Sequence, residues 1–385
     1  MRWLSLLFPL FLAIGSSAQV DRAAFLALAE ARRLPDSTDA ATASPRFSPV
    51  RSYELRTETD RFDPARQEYN LRFNLTGRRV RQAQRALAAL YAELPYSGRD
   101  ERRYRVRGEA LADWQQLHQH RRTLSYLDSL VPVLDDRVRV RERQLAAGRG
   151  AAADLLDARA TRATLALRRE RERAAFVALA DLYDLDPARL VFAAPPSLDS
   201  LVALVKTAPP VDYEPRAAEY ALEQRLNEGE RRLERAEARQ RLDFVQLGYN
   251  GPHADPWRER ISLQAAILLD TDGNKRLKLA ELTAEQRERD YTRAERRARR
   301  AAAAERLASS IVLGAVEYRA EAASFAALRA DQLRYLAVER ARGPAPLLAL
   351  RIAEARLRFE LAQLERYFAI YTDYTAWRSL RGELP

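Results

Sequence analysis

The sequence predicts a mostly α-helical fold with a small β part, made by duplicating one unit: a β-hairpin followed by a long helical hairpin. Three observations carry this. Runs rich in Ala, Leu, Arg and Glu fill most of the 385 residues, with Gly and Pro gathered at their junctions. Two short stretches leave the helical period for strict alternation. An offset of 192 residues sets Leu155 on Leu347, Leu156 on Leu348, Arg159 on Arg351, Phe176 on Phe368, Asp181 on Asp373 and Leu71 on Leu263.

The first element is not part of the fold. Arg2 precedes the apolar run "WLSLLFPLFLAI", and the small residues Ser16 and Ala18 follow, so residues 1–18 read as a secretory signal cleaved after Ala18. The run is shorter than the ~20 apolar residues of a spanning helix, and no later segment reaches that length. Residues 19–385 are then the exported chain. It has no cysteine, hence no disulfide and no lipid-bearing thiol. The net charge of +11 is nearly all arginine, since only Lys206, Lys275 and Lys278 are lysines. Such a balance suits a polyanion, but the signal argues against nucleic acid as partner.

Repeat one covers about residues 50–186, a linker residues 187–212, and repeat two residues 213–385. In the first hairpin "SYELRTET" is the weaker strand. In the second strand Tyr69, Leu71, Phe73 and Leu75 alternate with Asn70, Arg72 and Asn74, and the connecting loop holds Pro64. Helical runs follow at 77–94, 99–147 and 151–185. Leu117, Leu124, Val131, Val138 and Leu145 recur every seven residues as a coiled-coil seam, and Pro132 inside it is expected to kink or break the helix. After the helical run 213–241 comes the second hairpin, "FVQLGYN" and "RISLQAAILLD". There Ile261, Leu263, Ala265 and Ile267 alternate with Ser262, Gln264 and Ala266. Helical runs at 275–340 and 346–379 complete the repeat. Their apolar stripes are narrow, as in helices wetted on two sides and packed on the others.

The strands have the eight to ten residues of a tilted barrel strand. Tyr53, Phe62, Tyr69, Tyr249 and Trp257 lie near their ends, where an aromatic girdle would sit. Four strands cannot close a barrel, so spanning strands would have to be pooled by several chains. Alternation alone leaves open a pair of soluble hairpins capping a helical bundle.

Two motifs carry a resemblance. "GRGAAADLLDA", Gly148 to Ala158, ends one helix and starts the next, and "LLDTDGNKRLKLAE" leads from the last strand into a helix. With the duplicated order of elements they resemble the TolC-like outer-membrane efflux protein family over most of residues 50–380. The resemblance implies a homotrimer whose chains pool their hairpins into a twelve-stranded β-barrel, continued by a periplasmic α-helical barrel. It implies a passive exit duct of a tripartite efflux or type I secretion system, located in the outer membrane and extending into the periplasm. Its partners would be a periplasmic adaptor, an inner-membrane transporter and outer-membrane lipid. Adaptor docking falls on the helix tips: Gly148, Arg149, Gly150 and Ala151, with Arg342, Gly343 and Pro344 in the second repeat. In such an assembly Asp154 and Asp157 would recur about the threefold axis, where a ring of like charge forms a pore constriction; equally, they read as ordinary first-turn acids favoured by the helix dipole. Lipid would face Tyr69, Leu71, Phe73, Leu75, Ile261, Leu263, Ala265 and Ile267.

The sequence departs from the family pattern at three places. Ala151 replaces the usual serine or threonine, Arg340 stands where the second tip would have a glycine, and the first repeat lacks a long helix before its first strand. A non-conducting periplasmic scaffold or adaptor derived from the same family is the alternative that the missing helix and the strong arginine content favour.

No catalytic chemistry is legible. There is no HExxH, GxSxG, phosphate-binding glycine loop or cysteine pair. In "DTDGNKRLKLAE" the residues Asp270, Asp272, Asn274 and Glu281 fit calcium-loop positions, but Gly273 is misplaced, so a helix-starting turn is expected. His118, His120 and His253 are expected to be surface residues. No enzyme activity, cofactor or metal follows.

Overall fold

Alanine, leucine, glutamate and arginine cost little to hold in a helix, and where glycine does not intervene the chain stays helical over long distances. The computed structural model describes residues 19–34, 47–59, 67–251, 260–267, 273–342 and 345–384. In chain order they form α1 (Arg22–Arg33), β1 (Val50–Thr59), β2 (Gln67–Leu75), α2 (Arg78–Ser97), α3 (Arg99–Ala146), α4 (Ala152–Asp181), a 3-10 turn (Pro187–Arg189) and α5 (Leu198–Thr207). Then come α6 (Ala217–Ala238), β3 (Leu242–Tyr249), β4 (Ile261–Ile267), α7 (Gly273–Arg342) and α8 (Pro346–Leu380). The signal segment, Phe62, Trp257, Asp270, Asp272 and His253 lie outside the described residues.

The chain divides into two units. One comprises Met1–Pro35, Arg102–Tyr213 and Ala298–Pro385; the other comprises Asp36–Glu101 and Glu214–Arg297. The second holds the sheet, whose strand order β1-β2-β3-β4 is antiparallel throughout. It also holds the packed pair α2 and α6. A Cβ on Gly229 would lie 3.1 Å from Leu87 Cδ1, so the missing side chain is what lets α6 approach α2. Among the described residues of this unit no helix precedes β1, as the sequence leads one to expect.

Gln240, which sequence reading did not single out, joins the two repeats where the sheet meets its helices. Its Oε1 accepts from the Gly77 N–H at 3.1 Å, the first orphan donor of α2, and its Nε2 donates to the carbonyls of Leu75 at 2.8 Å and Leu242 at 3.0 Å. Gln240→Ala is expected to cost about 1–3 kcal/mol, since half-buried backbone groups lose their partners. A lowered thermal midpoint with unchanged far-ultraviolet circular dichroism would report it.

The first unit has two apolar cores. In one, the fully buried Phe25 of α1 packs against Trp114 at 5.2 Å and Tyr183 at 4.4 Å between ring centroids. Arg33 then locks α1 down, donating to Asp113 at 3.2 Å and to the Tyr183 hydroxyl at 2.8 Å. Burial and the Asp113 carboxylate push the Tyr183 hydroxyl well above its ordinary pKa, so it stays a donor to Asp113. The second core joins Leu201 and Val205 of α5 to Ile311 of α7 and to Ile370, Tyr374 and Trp377 of α8.

Several expectations need correction. α1 and α5 are helices that the helical runs did not include. The repeat offset carries α1 onto residues 214–225, where α6 begins, but α1 has 12 residues against the 22 of α6, so the first repeat still lacks a long helix before its first strand. Pro132 does not break α3, which runs through it. The seam is buried at Leu117, Leu124 and Val131, but Leu145 near the turn is 37% exposed. His118 is not a surface residue: its ring stacks on Phe192 and meets Phe368 edge-on, at 8% exposure. His120 is half-buried, its Nδ1 2.6 Å from Glu172.

Candidate functional site

Residues directly opposite in an antiparallel ladder share a face, so the register sorts every strand residue. Leu55, Leu71, Leu247 and Leu263 form one row across all four strands. Tyr53, Phe73, Val245 and Ala265 form a second, and Thr57, Tyr69, Tyr249 and Ile261 a third, with Leu242 opposite Ile267 beyond them. These rows make one apolar face, and among the described residues nothing covers its outermost members. Leu55 is 67% exposed, Leu263 75% and Ile261 61%. A contiguous uncovered face of this kind is foreign to a water-soluble sheet, which buries its apolar side. Each of the predicted lipid-facing residues in these rows, Tyr69, Leu71, Phe73, Ile261, Leu263 and Ala265, falls on this one face. Leu75 opposite Val50 and Ile267 opposite Leu242 stand beside bulges that interrupt the register. Tyr69 and Tyr249 meet at 6.4 Å near one end.

The opposite face is polar and hydrogen-bonded. Its rows are Glu54, Arg72, Gln246 and Gln264, then Arg56, Asn70, Gly248 and Ser262. Asn74 donates to Ser52 at 2.8 Å and to Glu54 at 3.2 Å, Arg72 Nε donates to Asn74 at 3.1 Å, and Gln246 donates to Asn70 at 3.1 Å. The Arg72 guanidinium also lies 3.6 Å from the Phe244 ring centroid. Gly248 is held to glycine by crowding: a Cβ there would run into Ser262 Oγ and lie 2.7 Å from Asn70 Oδ1. The sheet thus has a wet side and an apolar side, with β1 and β4 as open edges.

At the first tip, α3 ends in a Schellman motif. Gly148, at φ +70, donates to Leu145 O at 2.9 Å, and Arg149 donates to Gln144 O at 2.9 Å. Gly150 lets the chain double back, since a Cβ there would sit 3.2 Å from the Leu145 backbone nitrogen. Ala151 is the N-cap of α4 and supplies no side-chain acceptor. Ala151→Asp is expected to add about 1 kcal/mol by capping that helix, read as a raised thermal midpoint.

Both tip acids are paired. Asp154 lies 2.9 Å from Arg141, and Asp157 lies 3.4 Å from Arg137, which also holds the buried Glu354 of α8 at 2.8 Å. Further from the turn, Arg159–Glu142 at 2.7 Å, Arg162–Asp135 at 2.7 Å and Arg169–Asp128 at 3.1 Å continue a ladder between α3 and α4. The arginine partners were missed in the sequence. In the second repeat Ala345 is the N-cap of α8 with Pro346 behind it, Gly343 and Pro344 lie outside the described residues, and Arg342 closes α7.

Among the described residues no helix is long and apolar enough to cross a membrane, and no group of three or more His, Cys, Asp or Glu is placed to hold a metal. Glu281 instead pairs with Lys278 at 2.8 Å inside α7.

No protein-family model and no curated protein sequence matches the chain. Solved structures do. The outer membrane protein VceC of Vibrio cholerae superposes with a TM-score of 0.57 at 14% identity, over 87% of this chain and 86% of VceC. The outer-membrane channel OprN gives 0.59 at 16% identity over 94% of this chain and 87% of OprN. The CmeC outer membrane channel of Campylobacter jejuni gives 0.56 at 11% identity over 86% of this chain and 76% of CmeC. These likenesses cover most of the chain, which accordingly has the TolC-like fold of these outer-membrane channels.

Proposed function

We propose that the chain is the protomer of an outer-membrane exit duct. Three copies pool their sheets, each β4 edge pairing with a neighbour's β1, so that twelve strands close a barrel with no free edge in lipid. The single observation that carries this reading is the two-faced sheet: its leucine row is uncovered, its opposite face is an amide and guanidinium network, and both of its edges are open. Closed into a barrel, the first face meets lipid and the second meets water. The helices extend as a tunnel in the periplasm, and solutes delivered by an inner-membrane pump and an adaptor pass through without chemistry in this chain. The exposed turn Gly148–Ala151 and the second tip at Arg342–Pro344 are the docking surface for the adaptor. About the threefold axis Asp154 and Asp157 recur with Arg141 and Arg137, so the constriction is a ring of acid–base pairs rather than bare negative charge.

The scaffold alternative needs soluble hairpins, and the uncovered apolar face speaks against them. Fractionation of the full-length protein tests the choice. A carbonate-resistant trimer in mild detergent that gives steps of conductance in a planar bilayer is the expected result. A chain that washes off with carbonate as a monomer or dimer would overturn it.

A further inference from the structure

Two helices of the first unit each carry an apolar stripe on a side left exposed. On α4 it starts at Ala153 and steps by three and four residues in turn through Leu156, Ala163 and Leu167 to Val177. On α7 it starts at Leu313 and steps the same way through Val316, Ala323 and Ala327 to Ala337. Alternating steps of three and four form the seam of a coiled coil, which packs on a second helix. Yet every position on both seams is exposed, Leu156 at 64% and Leu313 at 60%. Both helices reach α8 by other faces, α4 through Arg168 and Glu365, and α7 through the stacked rings of Phe325 and Phe359. A continuous exposed stripe about 36 Å long, at 1.5 Å per residue, marks a surface for a partner.

The two seams fit each other. α4 leads away from its turn and α7 leads into its own, so with the turns at one end the helices lie antiparallel. Setting Ala153 on Ala337 then puts every seam position of one helix on a seam position of the other, with Ala163 on Ala327, Leu167 on Ala323 and Val177 on Leu313. Alanine fills one or both sides of most layers, which lets the helix axes approach closely. The only charges on the seams are Glu170 and Arg334, and each is held within the chain only by residues of its own helix at 3.5 Å. In this register Glu170 comes beside Arg319 and Arg334 beside Asp157, opposite in sign in both cases.

The heights agree as well. Within the chain Arg168, 17 residues past the N-cap of α4, meets Glu365, 20 residues past the N-cap of α8, so the second turn projects about three residues further than the first. The seam register gives the same projection between copies, with Ala153 two residues past the N-cap of α4 and Ala337 five residues before the end of α7 at Arg342. Copies joined in this way are related by rotation without rise, which closes a ring instead of growing a filament. We propose that the α4 seam of one copy packs into the α7 seam of a second copy in this register, as the coiled-coil contact that joins protomers outside the bilayer. The proposal rests on the reading of the chain as a pooled protomer and adds the residues by which the helices of neighbouring copies recognise each other.

The chain has no cysteine, so engineered pairs are the only thiols present. Ala163→Cys and Ala327→Cys, made in separate full-length chains, co-expressed and oxidised with copper phenanthroline in detergent, should give a covalent dimer on a non-reducing gel, because facing positions bring the Cα atoms within disulfide reach, about 4–7 Å. Placed in one chain, the two substitutions should shift the monomer band to covalent dimer and trimer, while the reduced protein keeps the parent's mass in detergent. Ala163→Cys with Ala320→Cys, one heptad out of register, should remain a monomer on the same gel. A trimer in detergent whose first pair fails to cross-link, or cross-links no better than the pair one heptad away, would overturn the seam and leave the exit duct standing. A monomer in detergent would overturn both.

Discussion

Leu263→Arg is expected to strip the protein from carbonate-washed membranes and to abolish the trimer in detergent, while Gln264→Arg, one residue along the same strand, leaves both intact. Leu263 stands in the row Leu55, Leu71, Leu247, Leu263, and its side chain projects from the apolar face at 75% exposure. An arginine on the lipid side of a barrel strand costs about 2–4 kcal/mol near the bilayer centre, and a threefold assembly meets that cost three times. Gln264 belongs to the polar row with Gln246, Arg72 and Glu54, where another guanidinium remains in water. Were the sheet a soluble cap, the order would reverse. Replacing an exposed leucine would then change stability by less than about 0.5 kcal/mol and improve solubility. Equal membrane retention of the two variants would therefore sink the barrel.

The contrast between these neighbours was legible in the sequence because the side-chain period of a strand is two, and Tyr69, Leu71 and Phe73 alternate with amides and an arginine. What alternation withheld was the order of the strands. Pairing β2 with β3 joins the two repeats edge to edge and turns two amphipathic hairpins into one face with two open sides. The tip was readable by another route. Folding the chain back at Gly148 sets Arg141 opposite Asp154 and Arg137 near Asp157, so a helical hairpin with short closure fixes its ion pairs by distance from the turn. Reading the acids alone gave two candidate constriction residues; reading both arms gives two ion pairs. α1 and α5 were missed for a different reason. Each is 12 residues or fewer and is held by packing, Phe25 on Trp114 and Leu201 beneath Trp377, rather than by a long periodic run. His118 was misplaced because a polar residue between Leu117 and Gln119 carries no sign of burial. Its surroundings are supplied by Phe192 and Phe368, which are 74 and 250 residues away in the chain.

That burial makes His118 a pH-dependent weakness. Removal from water, and secondarily the positive charge of Arg122, lower its pKa from 6.5 to about 4. Above pH 6.5 the ring is neutral in both the folded and the unfolded chain and contributes its full stability. As the pH falls from 6.5 towards 4 the unfolded chain takes up the proton first, so the folded state loses about 1.4 kcal/mol per pH unit from this group. Below about 4 both forms are protonated and the loss from His118 stops. His118→Phe keeps an aromatic ring between Phe192 and Phe368 but has nothing to titrate. The expected result is that the stability of the parent relative to this variant falls by about 2 kcal/mol between pH 7 and pH 5, whatever its value at pH 7. Carboxylate titration is common to both proteins and cancels in the difference. Denaturant midpoints at fixed protein concentration would measure it. A difference that stays constant over that interval would mean that the histidine accepts its proton in place, with water or a carboxylate reaching the stack on Phe192.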